Sequence, residues 1–181
     1  MSLAIITGSS GLVGSESVNF FCDKGFDVIG IDNNLRKFFF GKNGSTSWIK
    51  SHLIKRNKSF KSFDIDIRNF SRLNQLFKKY AKNISVIIHC AAQPSHDYGK
   101  KFPFLDFHVN ATGTLNLLEL TKKYCPTAPF IFMSTNKVYG DSPNNLKILE
   151  KKTRWELHKA DKNFKGINEN FSIDNSTHSF F

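Results

Sequence analysis

Thr7-Gly8-Ser9-Ser10-Gly11-Leu12-Val13-Gly14 decides the reading of this chain. The stretch follows a short apolar run, Leu3 to Thr7, and precedes a segment from Ser15 to Lys24 in which Val18, Phe21 and Cys22 recur at helical spacing. Strand, glycine turn and helix in that order are the front half of a dinucleotide-binding βαβ unit. Glycines at 8, 11 and 14 let the backbone turn tightly and come close to a pyrophosphate. The helix that follows offers that anion free N–H groups and the positive end of its dipole. The competing reading is a turn that merely packs helix on strand.

Moving outward, Val28 to Ile31 is a second buried strand, and it ends at Asp32, 18 residues past Gly14. A carboxylate there accepts hydrogen bonds from the ribose hydroxyls of NAD and repels a ribose phosphate, so NAD is favoured over NADP, although Arg36 nearby keeps NADP in view. Residues 33 to 58 are polar and basic, with a short helix expected around Trp48, Ile49 and Leu53. Ser59 to Ile65 reads as a third strand. From Phe70 to Lys82 an amphipathic helix is predicted, because Leu73, Leu76, Phe77 and Tyr80 fall on one face. Ser85 to His89 is a fourth strand. Phe102 to Tyr124 is a long helix with Pro103 in its first turn and Pro126 just past its end. Phe130 to Met133 is a fifth strand. Strands alternating with helices predict an α/β, Rossmann-type doubly wound parallel sheet with helices on both faces. The dinucleotide-binding domain is assigned to residues 1–140. From Asp141 the chain turns polar without a strong period, so 141–181 reads as a loop region.

Composition narrows the class further. The chain has 181 residues, 40% of them apolar and 19 of them Phe, a globular balance. Lys and Arg number 26 against 15 Asp and Glu, a formal charge of +11. The lysines are spread along the whole chain, which favours a solvated basic surface over nucleic-acid binding. No apolar run approaches the roughly 20 residues of a membrane helix, and the first residues lack a basic leader. Cys22, Cys90 and Cys125 are scattered, with no metal or disulfide pattern. A reducing cytoplasmic setting, with no membrane, metal or nucleic-acid partner, is the expectation.

Three further places carry chemistry. Asp66, after the third strand, either bonds an adenine amino group or caps the next helix. Ala91-Ala92-Gln93 follows the fourth strand, and its small residues let a cofactor lie against the backbone or simply pack closely. Ser134-Thr135-Asn136-Lys137-Val138-Tyr139-Gly140 follows the fifth strand, at the sheet end where ligands bind in open α/β folds. A hydroxyl there either bonds a substrate alcohol or satisfies its own turn.

The order of these motifs resembles the extended short-chain dehydrogenases, specifically the NAD-dependent sugar-nucleotide epimerases and dehydratases. The resemblance rests on Thr7-Gly8-x-x-Gly11-x-x-Gly14, Asp32-Asn33, Asp66-Ile67-Arg68 and His89-Cys90-Ala91-Ala92-Gln93. It continues through Asn110-Ala111-x-Gly113-Thr114-x-Asn116 and Ser134-Thr135-x-x-Val138-Tyr139-Gly140. Each motif is unspecific alone, and the ordered set is specific. Ser134 to Asp141, Thr153-Arg154-Trp155 and His178-Ser179 are similar, more narrowly, to the CDP-tyvelose epimerases.

The resemblance implies a role for each matching residue. Gly8, Ser10, Gly11, Leu12 and Val13 match the pyrophosphate loop; Asp32, Asn33 and Arg36 match adenosine-ribose contacts; Asp66 and Ile67 match adenine contacts. Ala91, Ala92 and Gln93 match the nicotinamide side, Ser134 falls on the cofactor side, and Asn110 matches a structural residue of the central helix. Thr135 matches the hydroxyl that bonds the reacting sugar oxygen. The implied reaction is transient oxidation of a sugar ring hydroxyl by NAD followed by re-reduction. The implied substrate is a nucleotide sugar, CDP-linked on the narrower match, and the implied full-length assembly is a homodimer. The family's proton-exchanging tyrosine follows His-Ser-x, and here Phe181 stands in its place; the family's lysine four residues later would lie past Phe181. The chain therefore reads as the cofactor half of an epimerase, truncated before Tyr-x-x-x-Lys. A truncated frame, one piece of a split gene and a short protein that only binds a dinucleotide all remain open.

Overall fold

The computed structural model describes residues 2–93, 95–134 and 138–173. The chain divides into two compact units, Met1–Met133 and Ser134–Phe181.

The first unit is built on a five-stranded parallel sheet: β1 (Leu3–Thr7), β2 (Asp27–Ile31), β3 (Phe60–Phe63), β4 (Ile84–His89) and β5 (Phe130–Phe132). Their spatial order is β3-β2-β1-β4-β5, the reversal about β1 that defines a doubly wound fold. β1 is central, and all five of its residues are buried. That is why it reads as an unbroken apolar run rather than an alternating one.

Two apolar layers cover the sheet. On one face α1 (Leu12–Asp23) and α3 (Ser47–Arg56) press Val18 and Leu53 onto Ala4, Ile6, Val28, Val86 and Ile88. On the other, α4 (Phe70–Tyr80) and α7 (Gly113–Tyr124) press Leu73, Phe77, Leu117 and Leu120 onto Ile5, Ile29, Ile31 and Ile87. Alternate strand residues therefore feed opposite layers. The predicted apolar faces of α1 and α4 are the buried ones; Tyr80 packs at the edge of its cluster. In α3 only Leu53 is buried, and Trp48 lies open to solvent.

The elements between these differ from the sequence expectation in three places. The polar stretch after β2 contains a short helix, α2 (Arg36–Phe40), and the loop after β4 contains α5 (His96–Lys101). Both are about one turn long, too short for a periodic signal. The long helix expected from Phe102 is segmented into α6 (Pro103–Phe107), a π-turn at His108–Thr112 and α7. The π-turn inserts an extra residue into the ladder and swings Val109 into the core.

The second unit carries a small antiparallel hairpin, β6 (Ile148–Glu150) paired with β7 (Trp155–Leu157). It was expected to be loop. Three-residue strands with mostly exposed side chains give no alternation to read. Within the same unit Tyr139 meets Phe171 edge-on and donates to the Asn168 carbonyl.

Candidate functional site

The glycine turn runs from the end of β1 into α1. Gly8 has φ +64, and a Cβ there would lie 2.8 Å from the Ala91 amide nitrogen. A Cβ on Gly14 would lie 2.0 Å from the Gly8 carbonyl oxygen. Both positions therefore exclude any side chain, the first on conformation and space, the second on space alone. The Gly8 amide donates to the Ile31 carbonyl at 2.8 Å, and the Gly11 amide to the Gly8 carbonyl at 2.9 Å. Gly11 caps α1 without a side-chain hydrogen bond, and no acid lies in the first turn. No side chain of the helix itself neutralises the positive end at the start of α1. The buried hydroxyl of Ser10, inside the turn, has no protein partner.

A cavity of about 300 Å³ opens on this turn. Gly8, Gly11, Leu12 and Val13 form its floor, with Asp32, Asn33 and Arg36 beside them, then Asp66 and Ile67, then Ala91 and Ala92. The residues singled out in the sequence at the ends of β1 to β4 thus meet around one space. Cys90, Phe39, Phe40, Thr46 and Val109 also line it. Of these five, Cys90 alone belongs to a recognised motif. The others come from α2, from the turn before α3 and from the π-turn, none of which had a periodic signature.

Asp32 joins the two sides. One carboxylate oxygen accepts from the Ser10 amide at 2.9 Å and the other from the Asn34 amide at 2.7 Å. Each oxygen retains lone-pair capacity for a ribose hydroxyl. Asn34 has φ +55, a left-handed conformation that Asn tolerates better than most residues. Its carbonyl oxygen accepts from the Thr46 amide, and its amide nitrogen donates to Ser45 and Ser47. Asn34 thereby folds the polar segment back toward the cavity, a role sequence reading missed; an Asn after Asn33 was its only signal. The Arg36 guanidinium lies 4.8 Å from the Phe40 ring centre.

Asp66 does not cap α4. That cap is Asn69, whose side chain accepts from the Arg72 amide at 3.0 Å. Asp66 instead accepts two side-chain bonds from Arg68, at 2.9 and 2.5 Å, and one from the Asn33 amide at 2.8 Å. Burial opposes its charge, but the Arg68 hydrogen bonds and charge, with Asn33, outweigh it and hold the carboxyl below its ordinary value.

Behind the cavity runs a polar chain. The Ala91 amide donates to the Thr7 hydroxyl at 3.1 Å, and that hydroxyl lies 2.6 Å from His89 Nδ1. On the other side His89 Nε2 lies 2.9 Å from the Thr114 hydroxyl, which donates to the Asn110 carbonyl at 2.7 Å. Because Thr114 spends its proton on Asn110, Nε2 must carry a hydrogen and Nδ1 must accept from Thr7. His89 is therefore the neutral Nε2–H tautomer. Its burial pushes the imidazole pKa down to about 4. Burial likewise pushes the Cys90 thiol up to about 11, which keeps it protonated and unreactive.

Ser10, Gln93 and Asn110 are not among the lining residues. The Gln93 side chain is bound to Asp106 at 2.6 Å and to the Ser95 backbone, and its own backbone exchanges two hydrogen bonds with the Asn110 side chain. The Gln93 side-chain amide thus braces its own loop. Ser134 is exposed and belongs to the second unit. Thr135, and the His178 to Phe181 motif, lie outside the described residues.

A doubly wound sheet, an uncapped helix over a glycine cradle and a carboxylate closing β2 define a Rossmann-type dinucleotide site. The chain belongs to the GDP-mannose 4,6 dehydratase family, whose model matches residues 5–155. It is 35% identical over 151 residues to a CDP-paratose 2-epimerase of Salmonella typhi, covering 83% of this chain and 41% of that one. It is 32% identical over 144 residues to a UDP-glucuronate 4-epimerase of Thermodesulfobacterium geofontis, covering 79% and 42%. Among solved structures, the UDP-glucose 4-epimerase of Thermus thermophilus in complex with NAD superposes with a TM-score of 0.61 at 28% identity, covering 83% of this chain and 43% of that one. The chain spans about two fifths of the length of these relatives. No helix among the described residues is long and apolar enough to cross a membrane.

Proposed function

We propose that this chain is the NAD-binding part of a sugar-nucleotide epimerase or dehydratase. One observation carries the reading: the uncapped start of α1, the side-chain-free cradle at Gly8 and Gly14, and the Asp32 carboxylate all face one cavity. Those groups fit a dinucleotide. The α1 amides and the Ser10 hydroxyl would hold its pyrophosphate, Asp32 and Asn33 its adenosine ribose, and Asp66 and Ile67 its adenine. Ala91 and Ala92 would leave room for its nicotinamide.

When bound, NAD supplies reversible oxidation of a sugar ring carbon. The chain's own contribution is to bind, orient and discriminate. The Asp32 carboxylate disfavours a ribose phosphate, so NAD is selected over NADP. Thr135 is proposed to bond the reacting sugar oxygen, with Ser134 on the cofactor side. The substrate is proposed to be a nucleotide sugar, CDP-linked by analogy with the Salmonella relative. A cytoplasmic setting and, for a full-length protein, a homodimer complete the proposal.

A second reading, a dinucleotide-binding module without turnover, is favoured by Phe181 at the tyrosine position, since a phenyl ring has no proton to exchange. On that reading the chain as given is inactive. Titration with NAD, followed by thermal unfolding, tests the shared part. At about 100 times Kd, NAD stabilises by about 2.7 kcal/mol, a shift of several degrees, whereas no shift at millimolar NAD rejects both readings. Adding CDP-sugars to the NAD-loaded chain then separates them. Because the cycle restores NAD, the readout is the sugar itself: conversion of the CDP-sugar to an epimer or dehydrated product supports the enzyme, and recovery of the starting sugar alone supports the module.

A further inference from the structure

β2 and β4 are the two neighbours of β1. The loop after β2 and the loop after β4 therefore rise on opposite sides of the glycine turn. The two loops are in contact, and Phe39 and Phe40 at that contact line the same cavity as Gly8 and Gly11. Phe39 of α2 packs on Tyr98 of α5 with ring centres 5.0 Å apart, and Phe40 meets the same ring edge-on at 5.6 Å. Phe102, just after α5, stacks on Tyr98 within 7° of parallel and reaches Phe38 at 6.2 Å. The Tyr98 hydroxyl donates to the Phe39 carbonyl. Phe39 and Phe40 line the cavity, whereas Tyr98 and Phe102 do not.

Each loop is braced by hydrogen bonds of its own. The β2 loop is closed internally by Asn34 and its bonds to Ser45, Thr46 and Ser47. The β4 loop is closed by Gln93, Ser95 and Asp106. Among the described residues, aromatic contacts and the Tyr98–Phe39 hydrogen bond join them, each of modest worth. Two internally braced loops joined by a weak bridge make a part that opens without unfolding either side.

We propose that this clasp is a gate on the dinucleotide cavity, with Tyr98 and Phe102 as its latch. The proposal rests on the cofactor reading above and adds to it a residue set that controls exchange of the dinucleotide with solvent. A latch that lies outside the cavity acts on the opening step, which entry and release share. Weakening it speeds both and leaves their ratio in place. A slow gate suits a reaction in which the dinucleotide is restored within each cycle and never needs to leave.

The test uses the full chain loaded with radiolabelled NAD and chased with unlabelled NAD, alongside measured association rates. In Tyr98→Phe, loss of one hydrogen bond of about 1 kcal/mol raises release about fivefold. Entry rises by the same factor, so Kd stays within about twofold of wild type. Phe102→Leu behaves alike, and Ile54→Ala, on the exposed face of α3, changes neither rate. Tyr98→Phe keeps the ring and so retains the packing. Wild-type-like rates in both latch variants overturn the gate while leaving the cofactor reading standing. A weakened Kd without faster exchange assigns these residues a structural role and also overturns it. Failure of the wild-type chain to bind NAD removes the cofactor reading and the gate together.

Discussion

His89→Gln removes a group at the centre of the fold that must stay uncharged to keep its bonds. In the folded chain its Nδ1 accepts from Thr7 and its Nε2 donates to Thr114, an arrangement a protonated ring cannot hold. Burial lowers its pKa from 6.5 to about 4. Above pH 6.5 the ring is neutral in folded and unfolded chains alike, and stability is at its full value. As pH falls below that, the unfolded chain takes up a proton that the folded chain refuses, so stability drains away until the folded ring also titrates near pH 4. The interval of pKa corresponds to about 3 kcal/mol, a large share of the about 5–15 kcal/mol typical of a domain. Urea unfolding of wild type and His89→Gln across this window measures it. The variant is less stable near neutrality, by about 1–3 kcal/mol for the buried Thr7 hydroxyl left unmatched, but has lost most of the acid slope. Carboxylates such as Asp66 titrate in both proteins and cancel in the comparison. Parallel pH profiles for the two would refute the assigned tautomer and its burial.

Gly14→Ala places a methyl 2.0 Å from a backbone oxygen, so the turn must open; loss of measurable NAD binding by calorimetry is expected, with a lowered melting temperature. Asp32→Ala frees the Ser10 and Asn34 amides and removes the ribose acceptor; binding weakens about 30-fold, or about 2 kcal/mol, and unaltered affinity would contradict its role. Asn34→Gly keeps the left-handed backbone at φ +55 but loses the bonds to Ser45, Thr46 and Ser47, whereas Asn34→Ala loses both. Chemical denaturation should place Ala below Gly by about 1 kcal/mol.

The parts of the site that sequence revealed were those built from extended patterns. β1 to β5 and the faces of α1 and α4 are written in runs of apolar residues that burial demands, and the glycine cradle is written in residues nothing else can replace. Phe39, Phe40 and Tyr98 were not legible because α2 and α5 each make about one turn, and what unites them is a contact 59 residues apart in sequence. Asp66 shows a different limit. Spacing alone left adenine contact and helix cap equal, and only the position of Asn69, three residues before the Arg72 amide it receives, ruled out the cap. The bond from Gln93 to Asp106 was likewise not legible, because a loop side chain's aim follows from partners distant in sequence rather than from its neighbours.

The two borders of the five-stranded sheet are unequal. At β3 the outermost strand presents Lys61, a charge that discourages a further strand from pairing. At β5 Ile131 and Phe132, with Met133 just after, are each more than two fifths exposed and carry no charge between them. The two borders thus differ in character: β3 carries a charge among its residues, whereas Ile131, Phe132 and Met133 at β5 carry none.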